Sequence, residues 1–473
     1  MLPTLRRTLP VAPGLISLVL SVVITANAAP RVLRAQPPAP GPTGTSVRQL
    51  PTGPITIGDA ARLAAARAAP VGVARLRAVQ ANARARQSRS ALLPDIQAVA
   101  ALDGRTFNTA TLGIDFPPTP GNPPLFDPDG EVVGPVNTTD IRGRLATPLV
   151  DFAALGRYRG ARASAAAAGV EVASAAQEAA ERAATAYVRL QHALGQLTAR
   201  AADSSLAAEL LNVARDQLSA GVGVRLDVTR AESRLAAMRA QLLVARNERD
   251  RAELDLRRAL DLPLDGRVML ADALAVPTRA TIPTAEEAVT LALDRRPELE
   301  LLDAQLAAAR QFITATRDER LPALSLFVDD GVIGKSVAHL LNSYTWGVQL
   351  TVPIFDGFRR GGQTDEQEAQ LHELQLRRHD LEQQVAAEVR AALLDLSSAA
   401  ELAEAAREQL RLAEQEVDQA RERFRTGVTG NADVMTASLS LTGARTQVND
   451  ALTSYQTARV ALARAEGDVT ALP

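Results

Sequence analysis

Two hydrophobic periods run along this chain, and they occupy different stretches of it. Ala403, Ala406, Leu410, Ala413, Val417, Ala420 and Phe424 are spaced alternately by three and four residues, which is a heptad seam on one face of a helix. After a break at Gly427 the seam resumes as Val434, Ala437, Leu441, Ala444, Val448, Ala451, Tyr455, Ala458, Leu462 and Ala465. An earlier stretch repeats it with Val228, Ala231, Leu235, Met238, Leu242 and Ala245. Large and small residues alternate along each seam, so neighbouring helices can approach closely while the large side chains fill the space between. From about Ala153 to Ser219 no proline intervenes, and a helix of that length spans on the order of 100 Å at 1.5 Å per residue.

The second period is two. In Tyr344, Trp346, Val348, Leu350, Val352 and Ile354 every second residue is apolar, with Thr345, Gly347, Gln349 and Thr351 between them. Leu324, Leu326 and Val328 alternate with Ser325 and Asp329, although Phe327 breaks the pattern. Ile96, Ala98, Ala100 and Leu102 alternate with Asp95, Gln97 and Asp103; Ile141, Leu145 and Leu149 share a face with Gly143 and Thr147, and Arg142 and Arg144 point the other way. Each segment is about ten residues long and reads as a strand with one oily and one wet face. The same alternation suits a soluble sheet packed on helices and a membrane barrel. An aromatic pair at one end favours the barrel.

The chain also repeats itself. Pro70 and Pro297 each interrupt an alanine-rich helical pattern and Pro94 and Pro322 each end one, at offsets of 227 and 228 residues. Leu145, Pro148 and Asp151 match Leu350, Pro353 and Asp356 at an offset of 205; Gly221, Val222, Asp227 and Val228 match Gly427, Val428, Asp433 and Val434 at 206. From Pro94 to Pro148 is 54 residues and from Pro322 to Pro353 is 31, so 23 extra residues sit in the first strand connection. That excess holds Phe116, Pro117, Pro118, Pro120, Pro123, Pro124 and Pro128, a composition hostile to regular structure, and is expected to form an extracellular loop. Each unit therefore reads as helix, strand, strand, long helix, helix.

Composition narrows the function. There are 52 basic and 54 acidic side chains and no cysteine, which excludes a basic nucleic-acid binder, a disulfide scaffold, a thiolate metal site and lipidation through an N-terminal cysteine. Arg6 and Arg7 precede an apolar stretch from Val11 to Ile24, with Ala26, Asn27 and Ala28 as a small-x-small cleavage site, the three parts of a secretory signal. The stretch is short of the roughly 20 residues an anchor needs. The expected organisation is a signal peptide (1–28), a Pro-rich leader (29–54), a first repeat (55–262), a linker (263–283), a second repeat (284–467) and a tail (468–473). Export, the strand length and the aromatic pair together fit membrane β. Four strands cannot close a barrel alone, since open edges in lipid leave backbone groups unpaired, so several chains must contribute.

The duplicated helix, hairpin and helix-pair unit, the Pro-x-x-Asp ending of each second strand, and the glycine-valine turn followed by Asp-Val together resemble the TolC-type outer-membrane efflux and secretion proteins over residues 55 to 467. The resemblance implies a mainly α fold with membrane β. Three chains share a 12-stranded barrel in outer-membrane lipid and continue as a helical tunnel across the periplasm, working with a periplasmic adaptor and an inner-membrane pump. It also implies that the helical tips meet the adaptor, through Arg423, Phe424, Gly427 and Val428 in the second copy. In the first copy Gly221 and Val222 remain, and Gln217 and Leu218 replace the arginine and the aromatic. Asp227 and Asp433 are implied to ring a periplasmic aperture. An aspartate after a turn also caps a helix, and both readings of Asp227 and Asp433 stand.

Other chemistry is thin. His372 and His379 are seven apart on one helix face, two turns from each other and too far to share an ion easily, so they read as solvated. His192 and His339 have no evident partners, no phosphate-binding glycine loop occurs, and Ser204 and Ser205 have no nucleophile setting. No cofactor, metal or catalytic residue is expected. The chain is expected to be an outer-membrane channel of a tripartite efflux or type I secretion system; the alternative is a periplasmic coiled-coil adaptor, which normally has one hairpin between β-rich lobes.

Overall fold

The computed structural model describes residues 53–112, 130–272, 274, 283–426, 428 and 431–473. The signal peptide and nearly all of the leader lie outside them, as does the proline-rich excess from Phe116 to Pro128. The first repeat contains α1 (Ile57–Arg67), α2 (Ala69–Ser90), β1 (Asp95–Asn108), β2 (Val132–Val150), α3 (Phe152–Ser219) and α4 (Arg225–Ala259). The second contains α5 (Ala285–Arg295), α6 (Pro297–Asp318), β3 (Ala323–Gly334), β4 (Leu340–Thr351), α7 (Arg359–Arg425) and α8 (Asn431–Ala465), followed by a 3-10 turn at Val469–Ala471. Three helix pairs match in length between the two copies. Helices α1 and α5 have 11 residues each, α2 and α6 have 22 each, and α4 and α8 have 35 each.

Local signals place the helix starts. Thr56 accepts the Asp59 N–H at 3.1 Å while its own N–H donates to the Asp59 carboxylate at 3.2 Å, and Thr284 and Glu287 form the same reciprocal box. Two backbone donors are thereby satisfied at each end. Pro70 and Pro297 stand within the first two positions of α2 and α6, where a missing N–H costs nothing, and split each helical pattern into two rods. The aspartate of each Pro-x-x-Asp ending starts the helix that follows. Asp151 accepts the Ala154 N–H at 2.8 Å to cap α3, and Asp356 accepts the Arg360 N–H at 3.1 Å at the start of α7.

Helix α3 runs 68 residues and α7 runs 67. The seam residues Ala403, Ala406, Ala413, Val417, Val434, Ala437, Leu441 and Ala444 are buried. Helix α4 packs on α3, α3 on α8, and α8 on α7, a row of four. Towards the sheet α6 lies against α3, and the approach is close because Gly156 and Gly160 face it. A Cβ on Gly156 would stand 2.7 Å from the Ala315 Cα.

Midway along the row is a hub. Tyr187 is fully buried; its hydroxyl donates to the Ile55 carbonyl at 2.9 Å and accepts the Asp272 N–H at 3.3 Å. Burial pushes that phenol above its ordinary pKa. Ile55 pairs with Leu270 in a parallel bridge, tying the connection after α4 to the start of α1. The buried guanidinium of Arg257 donates to the carbonyls of Pro263, Asp265 and Gly266, one bond from each of its nitrogens.

The sheet is antiparallel in the order β1-β2-β3-β4. Its register puts Leu324, Leu326 and Val328 opposite Leu350, Val348 and Trp346 on one face, and Phe327 and Asp329 opposite Gly347 and Thr345 on the other. Phe327, which broke the alternation, therefore lies on the polar face, over Gly347. Arg144 and Asp329 pair across β2 and β3 on that face at 3.4 Å. The strands are longer than the ten residues expected: β1 has 14, β2 has 19, and β3 and β4 have 12 each. Alternation alone misses Phe107 and Asn108 pairing with Val133 and Val132 beyond a bulge, and a second bulge at Pro148. No helix among the described residues is long and apolar enough to cross a membrane.

Candidate functional site: the paired helical tips

At the end of α3 the chain turns on Gly221, whose φ of 77° lies in the left-handed region. The Val222 N–H donates to the Gln217 carbonyl at 3.0 Å and the Gly221 N–H to the Leu218 carbonyl at 3.1 Å, the paired bonds of a Schellman closure. At the end of α7 the Val428 N–H donates to the Arg423 carbonyl at 2.9 Å, the same bond 206 residues on. Gly427 itself lies outside the described residues. Thr426 adds a hydroxyl bond to the Glu422 carbonyl at 3.0 Å.

The predicted contact residues divide by exposure. Val222 and Val428 are 81% and 67% exposed apolar side chains at the two tips, and Arg423 is exposed on the last turn of α7 with no carboxylate paired to it among the described residues. Phe424 is different. Only 3% of it is exposed, and its ring packs with Leu210 of α3 and Val434 of α8. Its side chain joins the two hairpins and offers little to a partner. The heptad position of Phe424 was the available signal for this burial.

Asp227 is the third residue of α4, whose N-cap is Val224, without a side-chain capping bond. Capping through the Asp227 carboxylate is therefore corrected. The residue contributes charge to the first turn, where it complements the helix dipole, and stands 3.9 Å from Arg230. Asp433 occupies the matching turn of α8 and is exposed.

Cross-links between the hairpins have no counterpart in the sequence pattern. The Gln217 side-chain amide donates to the Phe424 carbonyl at 2.8 Å, and the buried Asn431 amide to the Asp227 carbonyl at 3.3 Å. Arg421 and Glu209 form an ion pair beside them. Gln217 stands where the second copy has Arg423, and that departure was the visible hint. Between the ends of α3 and α7 these contacts leave a groove of about 710 Å3, bordered by Asp216, Gln217, Val222, Asp418, Arg421 and Arg425 among others. His192, expected to be unpartnered, lies 2.9 Å from the Asp450 carboxylate of α8; a contact across 258 residues leaves no local trace. His339 has Ser336 at 3.3 Å.

Residues 60–261 and 288–468 match the family described as outer membrane efflux protein. The chain belongs to this family. As an outer membrane efflux protein it is an outer-membrane channel component, and the periplasmic adaptor alternative falls away. It is 28% identical over 334 residues to the alkaline protease secretion protein AprF of Pseudomonas aeruginosa, an alignment covering 66% of each chain. Its fold is that of the Campylobacter jejuni CmeC outer membrane channel, with a TM-score of 0.72 at 18% identity over 87% of this chain and 85% of that one. The open-state MtrE outer membrane channel of Neisseria gonorrhoeae gives 0.71 at 17% identity over 88% and 89%.

Proposed function

We propose that three copies of this outer membrane efflux protein, exported by a cleaved signal at residues 1–28, assemble into one duct. Their sheets form a 12-stranded barrel in the outer membrane and their helices a tunnel into the periplasm. The observation that carries this reading is that both layers are open rows. The sheet order leaves an edge on β1 and another on β4, and the helical row leaves α4 and α7 with outer flanks. Unpaired strand edges are untenable in lipid. The outer flanks carry exposed apolar residues, Leu243 and Val244 on α4 and Leu394, Leu402 and Leu412 on α7, as neighbouring copies require. The number three comes from the resemblance to the TolC-type proteins.

The duct carries solutes or polypeptides outward; the name of the Pseudomonas relative supports polypeptide cargo. No bond chemistry is required of the chain, and an inner-membrane pump supplies the driving force. The tips dock a periplasmic adaptor through Arg423 and the exposed Val222 and Val428, which follow Gly221 and Gly427 in the sequence, with Phe424 holding the platform from beneath. Rings of Asp227 and Asp433 line the aperture.

The test is charge reversal. Arg423→Glu removes a docking charge from a residue with no carboxylate partner among the described residues, so export is expected to be lost while the amount of trimer in the outer membrane is unchanged. If Arg423 only complements the α7 dipole, worth roughly 0.3 to 1 kcal/mol, neither quantity changes. Full export together with full crosslinking of adaptor to a Val428→Cys variant carrying Arg423→Glu defeats the docking assignment. A folded monomer in membrane-free buffer defeats the channel.

A further inference from the structure

About 20 Å along α3 from Tyr187 towards the tip, the seam of α3 with α8 has a groove on each face. One is lined by Gln191 and Thr198 of α3, Asn449 of α8, and Leu270, Ala271 and Asp272 of the connection that reaches the hub. The other holds about 600 Å3 and is bordered by Arg200, Arg234, Gln241, Thr446, Asp450 and Ser454 among others. Neighbouring residues of α8 divide the two, Asn449 on one side and Asp450 on the other. All residues lining the second recess belong to the four long helices. A lumen that passes cargo must be clear of connections, so when the row curves into a duct this bare face becomes its inner wall.

Two guanidinium groups border this recess, and they are held differently. Arg200 donates to the Thr446 hydroxyl at 3.1 Å and to the Asp203 carboxylate at 3.4 Å. Asp203 is buried, and Arg445 reaches the same carboxylate at 2.8 Å from the hub-side groove. Arg234 forms no ion pair among the described residues, and its buried Nε and Nη2 have no hydrogen-bond acceptor there. A guanidinium has five donors and no acceptor and matches a carboxylate in shape, and buried donors without partners are rare in folded proteins. The carboxylate on the rim, Asp450, is already engaged by His192 at 2.9 Å. Arg200, Arg234 and Arg445 against Asp203 and Asp450 leave one positive charge in excess per copy, with His192 neutral. Helix packing does not require this arrangement. At the matching positions 206 residues on, Arg200, Asp203 and Arg234 are replaced by Ala406, Gln409 and Ser440.

We infer that this recess is a carboxylate site on the duct wall, where Arg234, with Arg200 beside it, forks an acidic group of the passing cargo. This rests on the duct reading, and the test separates the two. The full chain, purified in detergent as the trimer, is titrated with a fluorescein-labelled peptide of ten glutamates, and with ten glutamines as the reference. The glutamate peptide is expected to bind at least about tenfold more tightly. Arg234→Gln weakens it about tenfold, the size of one charge-assisted contact, with Arg200→Gln as the second variant should the first not assemble. Arg239→Gln makes the same charge change at an exposed site elsewhere on α4 and leaves affinity unchanged. The native chain has no cysteine, so a single benzophenone can be placed at will. On Gly443→Cys, where an added Cβ meets nothing within 4 Å, it captures the peptide; on Thr198→Cys, in the hub-side groove, it does not. Displacement by glutarate at matched carboxylate concentration upholds the site with small solutes as its source; weaker competition upholds it with an acidic polypeptide. Equal binding of the two peptides, native affinity in Arg234→Gln, or capture at Thr198→Cys but not at Gly443→Cys overturns the site and leaves the duct standing. A folded monomer in membrane-free buffer removes the duct with it.

Discussion

Leu218 and Phe424 hold the same place in the two copies, 206 residues apart, one position after the residue whose carbonyl closes the turn. The turns have the same backbone bond. The side chains have opposite fates: Leu218 is 38% exposed and Phe424 is 3% exposed. Closure of a helical tip therefore needs a glycine and two helices but no aromatic. The aromatic serves the seam between hairpins, and once the second copy supplies it the first has no need of another. The first copy supplies Gln217 instead, whose amide bonds the Phe424 carbonyl. The two tips have become complementary parts of one platform.

The comparison breaks most visibly at the ring. Phe424→Ala opens a cavity between α3, α7 and α8 and is expected to cost about 3–5 kcal/mol, against less than about 1 kcal/mol for Leu218→Ala. Amide hydrogen exchange around Leu210 and Val434 reads the difference, because local opening reports on a tip without unfolding the whole chain. Equal loss of protection in both variants would show that the tips are equivalent after all.

Gly221→Ala comes next. No atom lies within 4 Å of an added Cβ there, so the left-handed φ of 77° is the whole penalty, about 1–2 kcal/mol. The loss of protection is expected to be confined to residues 215–226. Gln217→Ala is smaller again, about 1 kcal/mol for one neutral hydrogen bond, and it should loosen the second tip although the substitution is in the first. A change limited to the first tip would mean that the bond to Phe424 adds nothing.

Much of this architecture was readable because helices and strands have fixed periods. Seam positions such as Ala403, Val417 and Leu441 are buried where a heptad puts them, and the two repeats were visible because prolines and glycines punctuate both alike. Parity put Arg144 and Asp329 on the polar faces of their strands, but the register that pairs them was not readable. Contacts between distant segments were not readable. Gln217 to Phe424, Asn431 to Asp227 and His192 to Asp450 each join residues more than 200 apart, and a hydrogen bond imposes no period on the sequence. Bulges escaped for a related reason, since one inserted residue merely shifts an alternation.

The mildest contrast lies nearer the hub. In the second copy the buried Arg296 donates to the Ala465 carbonyl at 2.9 Å and to Glu388 at 2.5 Å. Burial by itself raises the Glu388 pKa, but hydrogen bonds from Gln384 and Arg296 outweigh it and hold the carboxyl below its ordinary 4.5. In the first copy Arg182 takes the place of Glu388, and its exposed pair with Glu178 is worth little. As the folded pKa is depressed, the contribution of Glu388 is complete above the unfolded value of 4.5 and is lost as pH falls through the folded one. Acid is therefore expected to loosen the α5–α7 contact before the α1–α3 contact, a difference that Glu388→Gln should abolish. Thermal unfolding followed across that pH range checks it.

The length of α3 turns small errors into large ones. From Tyr187 to Ser219 is about 48 Å of unbroken helix, so a tilt of about 5° at the hub swings the tip by about 4 Å. A rod of this kind is a pointer whose pivot must be machined more finely than its end. The buried hydroxyl of Tyr187, held between two backbone groups and the Asp272 carboxylate, is part of that pivot, and Tyr187→Phe is a change whose consequence would be measured at Val222.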